Sequence, residues 1–76
     1  MSVLTAARTV LDDASEPVSA DAIYRRMVER GLWRNPHLHP EATVAAAIES
    51  EIGKLGAASR FRIADQRKFT TISRGA

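Results

Sequence analysis

The chain contains no cysteine among its 76 residues, which excludes a disulfide framework and any thiolate metal site. Domains this small often rely on such staples, so core packing has to carry the stability here. Aromatic residues are scarce: one Trp, one Tyr and two Phe. No apolar run reaches membrane-spanning length. Residues 1–14 interrupt their apolar pattern with Arg8, Asp12 and Asp13, unlike the hydrophobic block of a signal peptide. Glycine-rich phosphate loops and nucleophile elbows are also missing. These absences lead to the expectation of a soluble intracellular protein, cytoplasmic or nucleoid-associated (nuclear in a eukaryote). No enzymatic activity and no cofactor are expected.

What the chain does have is 45% hydrophobic residues, sufficient for one compact core and a single domain over 1–76. Its formal charge is only +2, yet that charge is unevenly spread. Residues 1–52 hold five basic against eight acidic side chains, a net of −3, whereas residues 53–76 hold six basic side chains against Asp65 alone, a net of +5. Nine of the eleven basic residues are arginine, whose planar fork matches phosphate geometry. A polyanionic partner is expected.

Periodicity predicts three helices and then a hairpin. In Ser2–Ala14, Val3, Ala7, Val10, Leu11 and Ala14 recur at helical intervals. Pro17 breaks that helix, and Val18 falls in a short extended segment. Ser19 caps a second helix over about 20–30, with Ala20, Ile23, Tyr24, Met27 and Val28 on one side and Gly31 as its terminator. Trp33 reads as a plug between helices. Pro40 and Glu41 open a third helix, in which Val44, Ile48, Ile52 and Leu55 form the buried stripe. The opposite face, Thr43, Ala46, Ser50, Gly53 and Lys54 with Ala47 beside it, is small and nearly smooth. Phe61–Ile63 and Phe69–Ile72 read as strands, joined by the polar tip Asp65-Gln66-Arg67-Lys68. Ser73–Ala76 reads as a flexible tail. The expected fold is mainly α with a small β-hairpin: a winged helix-turn-helix of three helices, a short extended segment and a C-terminal wing.

Helix order and charge order agree, so the residues predict a non-catalytic DNA-binding module that meets the duplex with helix 3 and a basic wing. If Phe61 and Ile63 point inward, Arg60 and Arg62 point to solvent. With Arg67 and Lys68 at the tip they neutralise about four phosphates, each adding roughly 0.9 to the salt-dependence slope. Arg60 has a rival role as an ion-pair partner of Glu51, and Lys54 doubles as a helix-dipole complement. His39 is expected as a substitute helix cap or phosphate donor. The pair His37 and His39 lacks the further ligands of a zinc site.

The exposed face of helix 3 carries no Arg, Asn or Gln for bidentate base reading, and its one Lys sits at the end. Thr43 and Ser50 offer hydroxyls, and Ala46, Ala47 and the Thr43 methyl offer apolar contact to a thymine or 5-methylcytosine methyl group. Weak intrinsic sequence specificity and sensitivity to base methylation are therefore expected.

From about Val3 to Ile72 the chain also resembles the HARE-HTH winged-helix domains. The segments that carry the resemblance are Leu4-Thr5-Ala6-Ala7 with Val10-Leu11, Glu16-Pro17-Val18, Gly31-Leu32-Trp33, Pro40-Glu41-Ala42-Thr43-Val44, Ala46-Ala47-Ile48, Glu51-Ile52 and Ser59-Arg60-Phe61. The resemblance implies a module of restriction-type, chromatin-associated or RNA-polymerase systems that recognises DNA, including modified bases, and it adds Ser59 to the candidate surface. Two departures stand out. His37-Leu38-His39-Pro40 replaces a Gly-Lys-Thr-Pro-like segment, and Ala45 and Glu49 occupy positions where larger or neutral polar residues are usual. A second expectation comes from the acidic first 52 residues and the smooth helix 3: a protein-interaction module docking a polymerase, nuclease or chromatin subunit.

Overall fold

The computed structural model describes residues 1–36 and 38–72. Helix α1 (Val3–Asp13) starts at Ser2, whose hydroxyl accepts the Thr5 backbone N–H at 3.2 Å. This hydroxyl satisfies a donor that the first turn leaves orphaned. Ala6, Ala7, Val10 and Leu11 form the buried face. Strand β1 (Val18–Ser19) follows, and Ser19 also caps α2 (Ala20–Glu29) by accepting the Ala22 N–H at 3.3 Å. Helix α2 ends in a Schellman turn. Leu32 N–H donates to Met27 O and Gly31 N–H to Val28 O, with Gly31 at φ 66°, a left-handed backbone that a side chain would strain.

Helix α3 (Pro40–Leu55) is the longest element, and a 3-10 turn over Gly56–Ala58 leads into β2 (Phe61–Ile63). A second 3-10 turn, Asp65–Arg67, precedes β3 (Lys68–Thr71). The three strands form one antiparallel sheet in the order β1-β3-β2. The extended segment at Val18 was expected from the sequence, but its pairing into the sheet as β1 was not. Val18 faces Phe69 and Ser19 faces Lys68 across the sheet, so the segment before α2 is tied to residues about 50 positions later. Ile72, expected inside the last strand, lies just past it, although its N–H still donates to Arg60 O at 2.9 Å.

One core joins every layer: Ala6, Ala7, Val10 and Leu11 of α1, Val18, Ile23 and Met27, Val44 and Ile48 of α3, and Phe61 and Phe69 from the strands. Trp33 is half-buried, packs against this core from its margin, and meets Tyr24 edge to face at 6.1 Å. Three expected core positions differ. Val28 is exposed, and so is Leu55, which lies on the last turn of α3 with little beneath it. Ile63 shares a strand face with Phe61, but Phe61 is 2% exposed and Ile63 is 55% exposed.

Candidate functional site

The outer face of α3 is built from its start. Tyr24 clamps the loop before α3 by donating its hydroxyl to Asn35 O at 3.1 Å and accepting the Asn35 N–H at 3.3 Å. Asn35 then donates its side-chain amide to the Thr43 hydroxyl at 3.3 Å. His39 occupies the N-cap position but makes no side-chain cap bond. Its Nδ1 instead sits 3.5 Å from the Glu41 carboxylate, which replaces the expected cap. His37 lies outside the described residues, as does the tail 73–76 with Arg74. Thr43, Ala46, Ser50, Gly53 and Lys54 are exposed and Ala47 half-buried, as the helical period requires.

Apart from Lys54 at its end, the described cations of the last third do not gather on that face. Arg67 lines an open groove with Ala42, Ala45 and Glu49 of α3 and with Phe69. Lys68 lines a different groove, beside Ser19, Ala22 and Arg26. Arg60 faces α1, in clefts shared with Asp12, Thr71, Arg8 and Glu51. Lys54 lies on the other flank of α3, near Leu4, Ala47 and Glu51. The turn of β2 and β3 therefore places Arg67 beside α3, against the flank of Glu41, Ala42, Ala45 and Glu49 that borders the outer face. Arg67 has φ 62°, a left-handed backbone that costs a non-glycine residue roughly 1 kcal/mol.

Two expected contact residues are occupied structurally. Arg62 does not extend into solvent. Its Nη1 donates to Ser59 O at 2.6 Å and Phe61 O at 2.7 Å, and its Nη2 donates to Ala57 O at 3.0 Å. The guanidinium thus collects carbonyls that the 3-10 turn and strand start leave unpaired. Ser59 is 1% exposed. Its Oγ accepts the Phe61 N–H at 3.1 Å and donates to Glu51 Oε2 at 3.4 Å, so no hydroxyl is presented outward. Glu51 takes this bond rather than an ion pair with Arg60, which is exposed and unpaired among the described residues.

Three neighbours went unnoticed in the sequence. Arg26 joins Lys68, Arg8 joins Arg60, and Glu49 joins Arg67, each across a groove between separate elements. Only the fold brings them together, so spacing along the chain held no signal. Among the described residues no group of three or more His, Asp or Glu side chains is placed to hold a metal ion, and no helix is long and apolar enough to cross a membrane. Compared with protein-family models, curated proteins and solved structures, the chain matches none.

Proposed function

We propose that this chain is a winged helix-turn-helix module of the HARE-HTH kind that binds duplex DNA without catalysing a reaction. The order α1-β1-α2-α3-β2-β3, with β1 paired to β3, supports a winged-helix reading, in which α3 is the groove-facing helix and the β2–β3 turn the wing. The single observation that carries the reading is that Arg67 lines an open groove with Glu41, Ala42, Ala45 and Glu49, the flank of α3 that borders its bare outer face. The interface is smaller than the sequence suggests. Thr43, Ala46, Ala47 and Ser50 approach the bases, Arg67 contacts phosphate, and Lys54, Lys68 and His39 contribute at the margins. Arg62 and Ser59 hold the wing in shape, and Arg60 lies toward α1. Ala46 and the Thr43 methyl keep a role in sensing 5-methylcytosine, within a restriction or chromatin-type system.

The test is fluorescence anisotropy with matched duplexes, cytosine-methylated and unmethylated, over a salt series. Binding that weakens with salt and responds to methylation agrees with the proposal. Equal affinity for both duplexes removes the methyl contact.

A second reading has its own support. Leu38, in the loop before α3, is 88% exposed, and Glu41 and Glu49 flank the same helix. An apolar residue beside carboxylates suits a protein surface better than a phosphate backbone, as in a module docking a polymerase, nuclease or chromatin subunit. Binding to such a partner would respond to Leu38→Ser and little to salt.

A further inference from the structure

Two carboxylates of α3 line the groove that holds Arg67: Glu41, on the first turn beside His39, and, further along the helix, Glu49. At about 100° per residue Glu49 lies beside Ala42, Ala45, Ala46 and Gly53. It is exposed and makes no hydrogen bond or ion pair with any described residue. On the side away from Ile52 these neighbours have at most a methyl group for a side chain, which leaves the Glu49 carboxylate open to an opposing surface. The groove that Glu49 shares with Arg67 and Glu41 has an open volume of about 600 Å3, and Arg67 offsets part of the repulsion a carboxylate would feel near phosphate.

We infer that Glu49 is a base-reading residue that selects cytosine in the major groove, an inference that rests on the duplex-binding reading above. A carboxylate only accepts hydrogen bonds. Among major-groove edges, guanine presents N7 and O6 acceptors and thymine presents O4 beside its methyl, so both repel it. Cytosine and adenine each present an amino donor, and what lies next to that donor separates them. Adenine places the N7 lone pair there, facing the second carboxylate oxygen. Cytosine places the apolar C5 edge there, which fits against Ala46. A methyl on C5 extends the same apolar contact, so cytosine remains the selected base in either form.

The experiment is selection from a randomised duplex pool at low salt, run in parallel with the wild-type chain, Glu49→Gln and Glu49→Ala. Glu49 is exposed and unpartnered, so the variants keep the fold, which thermal melting checks. The wild type should enrich cytosine at one position by about five- to tenfold, the lower end of a single base-pair discrimination. Glu49→Gln should shift that position toward adenine, whose N6 and N7 a carboxamide pairs in bidentate fashion, and Glu49→Ala should flatten it. Identical base preferences in all three pools, or a uniform rise in affinity on removing the charge, would overturn the inference while leaving duplex binding intact. If none of the three chains retains duplex above background, the duplex-binding reading fails and this inference with it.

Discussion

Asp12 at the end of α1 accepts a hydrogen bond from the Thr71 hydroxyl at 2.6 Å, joining the first helix to the last strand across 59 positions of sequence. The adjacent Asp13 points elsewhere and pairs with Arg30 at 2.7 Å, at the end of α2. Neighbouring helical residues diverge by about 100°, so the two carboxylates hold two different elements. Thr71→Val keeps the side-chain shape and removes the donor. A loss of about 1 kcal/mol in urea denaturation is expected, since a hydrogen bond to a charged but solvated group contributes at that level. Duplex affinity at matched folded fraction should stay unchanged.

Ser59 is the strongest polar feature of the interior. Ser59→Ala leaves the Phe61 N–H without its acceptor and Glu51 without its donor. An orphaned buried donor costs about 1–3 kcal/mol, which chemical denaturation would register. Ser50→Ala, on the exposed face, should leave stability within about 0.5 kcal/mol.

Arg62 separates shape from charge. Three of its N–H groups are committed to the carbonyls of Ala57, Ser59 and Phe61, a fan that the ammonium of lysine cannot span. Arg62→Lys keeps the charge, yet is expected to lower the melting temperature by a few degrees, equivalent to about 1 kcal/mol in a chain of this length. A variant that melts with the wild type would show that the fork is not holding the turn.

Arg67 combines an exposed charge with a left-handed backbone. Arg67→Gly removes both together. Relief of the backbone strain, roughly 1 kcal/mol, opposes the greater flexibility of glycine in the unfolded chain, so stability should change by less than about 1 kcal/mol. Duplex affinity should fall at the same time. A parallel loss of stability and binding would mean that the residue acts through folding alone.

Much of the fold was legible because helices announce themselves by period. Ser19 as a cap, Gly31 as a terminator, and Val44 and Ile48 as the buried stripe all follow from local chemistry, and the structure has them in those roles. Strand β1 was not legible as a strand because two residues carry no alternation, and its partner lies about 50 positions away. Strict alternation misplaced Ile63, because a strand's inward face is buried only where another layer covers it. The candidate site was less readable still. Whether Arg62 reaches solvent depends on unpaired carbonyls of a 3-10 turn that sequence does not reveal, and the grouping of Arg67 with Glu49 depends on the sheet register.

The central claim is that the outer face of α3 and the turn carrying Arg67 meet a nucleic acid backbone. Anisotropy titrations of a random-sequence duplex over a salt series, with the wild type and Arg67→Ala, test it most directly. Wild-type affinity should fall steadily as salt rises, and the variant should reduce the slope of log affinity against log salt by about 0.9, the release expected for one phosphate contact. Affinity that ignores ionic strength, or a slope that Arg67→Ala leaves unaltered, would contradict the account.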